Sequence, residues 1–130
     1  MNLESPKVTV QKNQQDLYNF LTNVENYEQL MPEGKEKFNV RSKDTFAFAL
    51  KGMPEIELQI KETKAPELIV LGSTSDKFNF SLEVVIESAG DQQSQAQLFF
   101  EGKFNAMMSM MVKGPLKKFI GTLAEKTSQL

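Results

Sequence analysis

MMSMMVKGPLKKFIGTLAEK, residues 107–126, is the last long apolar stretch of the chain, and what it packs on decides the fold. Taken as one helix turning about 100° per residue, it puts Met108, Val112, Leu116, Phe119, Ile120 and Leu123 on a single face. Met107, Met110 and Met111 fall on another side. Asn105 stands where an N-cap would, and the helix would run to about residue 128. Gly114-Pro115 interrupts the stretch. A proline inside a helix removes one hydrogen bond and costs about 3 kcal/mol. Gly121 adds roughly 1 kcal/mol. The sequence therefore predicts a kink at 114–115, or two helices meeting there.

An amphipathic helix needs an apolar surface to cover, and residues 36–104 supply one. Their period is two almost throughout. Phe38 and Val40 alternate with polar neighbours, Phe46, Phe48 and Leu50 with Thr45, Ala47 and Ala49, and Ile56, Leu58 and Ile60 again with polar residues. Phe78, Phe80, Leu82, Val84 and Ile86 follow, then Ala96, Leu98, Phe100 and Phe104. Gly52–Pro54 and Gly90–Gln93 read as turns. Pro66 opens a strand through Leu68, Ile69, Val70 and Leu71, and the inner face of that segment, 67–74, stays open. One-sided alternation over so many short strands predicts an antiparallel sheet with one dry face. Upstream, SPKVTVQKN reads as a first strand carrying Val8 and Val10. Asn13 then caps a helix with Leu17, Phe20 and Leu21 on one side. Thr22 and Glu25 form a capping box for a second short helix with Val24, Tyr27, Leu30 and Met31, stopped by Pro32 and Gly34.

Composition narrows the function classes. The chain has 130 residues, 40% of them apolar, and no Cys, His or Trp. Its length predicts one domain over residues 1–130 with a core of its own. Disulfides and thiolate metal sites are excluded, and no membrane span or signal peptide is visible, so a cytoplasmic protein is expected. The net charge is −2, and Arg41 is the one arginine among 15 basic residues, which is unlike a nucleic-acid reader. The densest basic stretch, KGPLKK, with Lys113, Lys117 and Lys118, reads either as a phosphate or acidic-membrane contact or, more simply, as a solvated helix face.

The order is strand, two short helices, about six antiparallel strands, then a long helix. Over the whole chain this resembles the START-like, pollen-allergen-like helix-grip superfamily, also called SRPBCC. VENYEQLMP, residues 24–32, resembles the short second helix of its coenzyme-Q-binding and polyketide-cyclase-like members, and PLKKFIGTLAEK resembles its gripping helix. The resemblance implies an α+β fold: a curved antiparallel sheet of about six or seven strands wrapped on the long C-terminal helix, with two short helices between strands 1 and 2. It also implies an apolar cavity between sheet and helix. Members bind lipids, quinones, steroids or other hydrophobic molecules; some are cyclases or hydrolases, and some bind other proteins. GSTSDK, 72–77, has a single Gly, so the glycine-rich loop of the pollen-allergen branch has no counterpart.

Catalysis by acid and base needs a titratable group facing the substrate. No inward position of the predicted strands is charged or even polar, and His and Cys are absent. The sequence thus offers no catalytic residue, no metal site and no cofactor motif, and leans away from an enzyme. The expected lining of a cavity is Phe46, Phe48, Leu58, Phe80, Leu82, Leu98, Phe100, Met108 and Val112. Tyr18, Tyr27, Arg41, Met107 and Met111 are expected at its rim. The expected function is binding of a hydrophobic small molecule or lipid. The alternative is a protein-interaction module or homodimer of the same fold, drawing on outward Val85, Phe99 and one of Ile69 or Val70, and a cyclase- or dehydratase-type enzyme ranks last.

Overall fold

The computed structural model describes residues 1–32, 35–50, 53–75 and 78–130, leaving aside the side chains of 35 and 36. The chain runs β1 (Asn2–Glu4), β2 (Val8–Val10), α1 (Gln14–Leu21), a 3-10 helix (Val24–Leu30), β3 (Lys35–Ser42), β4 (Thr45–Leu50), β5 (Ile56–Lys64), β6 (Leu68–Ser73), β7 (Phe80–Ser88), β8 (Ser94–Gly102) and α2 (Ala106–Ser128). The strands form one antiparallel sheet in the order β1-β8-β7-β6-β5-β4-β3, with β2 also on β8. The turn expected at Gly52–Pro54 and the stop at Gly34 fall at least partly outside the described residues.

Eight strands appear where six or seven were expected, because the first strand is broken in two. Pro6 has no N–H to give the ladder. Ser5 bridges the gap: its backbone N–H donates to Leu98 O at 2.9 Å, and its Oγ accepts from Leu98 N–H at 2.9 Å. β1 is three residues long, too short for a period-two signal.

Asn13 caps α1 as expected, its Oδ1 accepting from Asp16 N–H at 2.8 Å. The second helix is capped by Asn23 instead of Thr22, with Asn23 Oδ1 accepting from Glu25 N–H at 3.2 Å. It is 3-10, and its buried residues Val24, Tyr27 and Leu30 sit three apart, matching the three residues per turn of that helix. Both helices are tied down by polar bonds. Gln14 Nε2 donates to Ile86 O at 2.9 Å, and Lys126 Nζ donates to Met31 O at 2.7 Å, which joins α2 to the chain just after the 3-10 helix.

The open question about β6 is resolved by its register. Ile69 pairs with Val84 and Leu71 with Leu82, so those two face inward and are buried, while Leu68 and Val70 face out. Pro66 lies in the preceding turn, and the strand begins at Leu68. One inward expectation needs correction. Val40 pairs with Phe46 but is 42% exposed, because β3 is the edge of the sheet and has a neighbour on one side only.

α2 is a single helix from Ala106 to Ser128, not two helices meeting at Gly114-Pro115. The carbonyl that loses its partner to Pro115 belongs to Met111, an exposed residue, where water can replace the missing N–H. Val112, Leu116, Phe119, Ile120, Leu123, Ala124 and Thr127 are buried against the sheet.

Candidate ligand-binding interior

Two aromatic clusters occupy the space between sheet and helix. In the first, Phe46 of β4 lies 5.0 Å from Tyr27, 5.5 Å from Phe38 and 6.0 Å from Phe48, all stacked. Phe48 then stacks on Phe119 of α2 at 5.0 Å, so the ladder runs from the 3-10 helix through the sheet to the gripping helix. The second cluster sits where β7 begins, β8 ends and α2 starts. Phe80 stacks on Phe100 at 5.0 Å, and Phe78 meets Phe80 edge-on at 5.5 Å and Phe104 at 4.9 Å.

The expected lining comes together. Phe46, Phe48, Leu58, Phe80, Leu82, Leu98, Phe100 and Val112 are buried in one apolar cluster, and Met108 packs against it half-buried. The expected rim does not form as a set. Tyr27 is buried, and its hydroxyl donates to Leu21 O at 2.8 Å. The reason is the three-residue spacing of its helix, which carries its ring onto Phe46. Arg41 is held on the outer face by Glu55 at 2.7 Å and Glu57 at 3.6 Å. Tyr18 is half-buried on α1. Met107 and Met111 point to solvent at 74% and 65% exposure, beside Met110 at 84%.

Sequence reasoning missed the importance of the second cluster. The alternation places Phe78 and Phe104 inward, yet nothing in the pattern says that they meet at one end of the sheet. The signal lies in Gly102. A Cβ there would come within 2.7 Å of the Phe104 ring, so the absent side chain is what lets Phe104 fold back over β8. Phe104 and Met108, unlike the residues beneath them, are only partly buried. This end of the interior is thus covered by two partly buried side chains.

The chemistry of the interior is sparse. Among the described residues no Asp, Glu, Lys or Arg is buried. The buried polar side chains are Ser5, Thr45, Ser94 and Thr127, together with the phenol of Tyr27. Burial raises the Tyr27 pKa well above that of an ordinary phenol, so it stays protonated at neutral pH. Asp44, at the surface, is shifted the other way, because the hydroxyls of Ser42 and Thr45 donate to its carboxylate. No group of three or more potential ligand side chains is gathered for a metal among the described residues. A groove of about 440 Å³ lies on the opposite, outer face of the sheet, lined by Glu4, Glu83, Glu101 and Phe99 among others.

A curled antiparallel sheet gripping one long helix, with short helices after the first strand and an apolar interior, defines the START-like, pollen-allergen-like helix-grip fold, and this chain has it. Solved structures bear this out. Norcoclaurine synthase from Thalictrum flavum, in complex with dopamine and hydroxybenzaldehyde, matches 99% of this chain and 84% of its own at TM-score 0.72 and 12% identity. A START superfamily protein from Mycobacterium smegmatis matches 98% of this chain and 97% of its own at 0.69 and 12%. A conserved protein from Geobacillus kaustophilus matches 99% and 93% at 0.70 and 12%. No family model and no curated protein matches the sequence. At such identities the likeness is one of fold. No helix among the described residues is long and apolar enough to cross a membrane.

Proposed function

We propose that the chain binds an uncharged hydrophobic small molecule or a lipid between the sheet and α2. The observation that carries this is the contrast within the interior: apolar and fully buried at its centre, half-buried at Phe104 and Met108 where α2 begins. Rings and a thioether line the space among the described residues, so a guest is met by side chains that can move. Met108 has three rotatable bonds, and Phe104 lies between β8 and α2 outside either element, so both can swing aside. The fold, shared with a synthase solved around two small aromatic molecules, supports such a use of the interior. The lack of Cys fits a cytoplasmic setting.

Native mass spectrometry of protein purified under mild conditions tests the reading. A bound apolar compound at one copy per chain is expected. Bare protein that also takes up no lipid or quinone offered in excess would refute it.

An interaction module of the same fold is the second reading. Leu68, Val70, Val85 and Phe99 are half-buried outward residues on three adjacent strands, β6, β7 and β8. Concentration-dependent light scattering abolished by Val85→Lys would favour it. A cyclase- or dehydratase-type activity has the least support, since no carboxylate among the described residues is buried beside either tyrosine.

A further inference from the structure

From Gly102 to Ala124 the sequence has four lysines and no acidic residue, in a chain whose net charge is −2. Lys113, Lys117 and Lys118 are exposed on α2, and Lys103 is exposed just before it. The ion pairs formed among the described residues, Lys7 with Glu87 and Arg41 with Glu55 and Glu57, involve none of them. At about 100° per residue, Lys117 and Lys118 lie on the same side of the helix as Met107, Met110 and Met111, with Lys113 at its flank. The three methionines are the most exposed large apolar side chains among the described residues.

We propose that the amino-terminal half of α2 docks on an anionic lipid surface, with Met107, Met110 and Met111 entering the headgroup–acyl boundary and Lys113, Lys117 and Lys118 meeting the lipid phosphates. An interfacial helix lies in the plane of the membrane with its apolar face sunk roughly 5–10 Å, so methionines that share one face enter together. Met107 to Met111 spans about 6 Å along the axis at 1.5 Å per residue. The lysines begin about 3 Å further along and end about 10 Å further, and their long stems let the ammonium groups stay at the headgroups. The binding strength of such a face scales with its buried apolar area plus its attraction to anionic lipid, and this face offers both.

Charge and shape argue against the other occupants. A second copy packed symmetrically through this face would set lysines against lysines. A peptide helix needs a groove, and this face is the convex side of a helix. The acidic groove of Glu4, Glu83 and Glu101 lies on the opposite side of the sheet, so an anionic surface would also orient the molecule helix-first. Docking there brings the partly buried end of the interior, Phe104 and Met108, next to lipid. The proposal does not depend on the interior binding anything.

Co-sedimentation of the intact chain with phosphatidylcholine vesicles, with and without about one third phosphatidylserine, tests it. Binding to the mixed vesicles is expected, with little to pure phosphatidylcholine and loss as salt rises. Each lysine near such a surface contributes about fivefold, so Lys113→Gln, Lys117→Gln and Lys118→Gln together should weaken binding roughly 100-fold. Met110→Glu should weaken it as well, and circular dichroism should show all variants folded. No binding by the native chain, or binding unchanged in both sets of variants, overturns the proposal. So does concentration-dependent self-association that Met110→Glu abolishes without vesicle binding, which would make the face a contact between copies.

Discussion

Replacing Phe119 by Ala removes the side chain through which α2 meets the first aromatic cluster. Phe119 is buried, and its ring stacks on Phe48 at 5.0 Å with 20° between the planes. Truncating a buried Phe to Ala costs about 3–5 kcal/mol, of which roughly 0.5–1.5 kcal/mol belongs to the aromatic pair. For a domain of this size the melting temperature should fall by about 11–18 °C. Met110→Ala serves as the comparison. It lies on the same helix but is 84% exposed, so its loss should stay within about 0.5 kcal/mol. Urea denaturation followed by circular dichroism reads both, and an unchanged slope would show that the denatured state is not involved. A double-mutant cycle with Phe48→Ala should return a coupling of about 0.5–1.5 kcal/mol. Equal losses from Phe119→Ala and Met110→Ala would refute the assignment of gripping and solvent faces. Strict additivity with Phe48→Ala would remove the stack.

Gly102→Ala should destabilise by roughly 1–3 kcal/mol, because its Cβ collides with the Phe104 ring and drives it from its place against Phe78; thermal melts check it, and a neutral result would mean that Phe104 shifts freely. Tyr27→Phe should cost about 1 kcal/mol at pH 7 by leaving Leu21 O without its donor. Because the folded-state pKa of Tyr27 lies above the unfolded value, its contribution is whole below about pH 10 and declines as pH rises past that point. Denaturation at rising pH should therefore show an alkaline loss that shrinks in Tyr27→Phe. The Oγ of Ser94 is buried without a hydrogen-bond partner among the described residues, so Ser94→Ala should leave stability unchanged or raise it by up to about 1 kcal/mol.

Much of this architecture is written in short-range pattern. Alternation fixed which side of β7 and β8 is dry, since a one-residue slip would expose their inward Phe residues, whereas β4 is buried along its whole length. The 3.6-residue stripe of α2 separated Met108 from Met107, Met110 and Met111 without any knowledge of the sheet. Where pattern failed, a long-range contact decided. Ile69 and Val70 are both apolar, and only pairing with Val84 and Leu82 turns Ile69 and Leu71 inward. Val40 has the right parity but sits on an edge strand, where parity does not guarantee cover. Proline and glycine penalties suggested a break in α2, yet burial of the stripe from Val112 to Thr127 outweighs them. The interior shows the same division. Its residue types were legible, while the meeting of Phe78, Phe80, Phe100 and Phe104 depends on which strand ends lie side by side.

On the proposed function, an apolar guest enters the interior beneath α2. Titration with an uncharged hydrophobic dye such as N-phenylnaphthylamine tests it most directly. A saturable fluorescence rise at one dye per chain is expected, retained in Met110→Glu, at a position 84% exposed, and reversed by a competing lipid or quinone. No saturable binding, or binding that disappears with Met110→Glu, would contradict it.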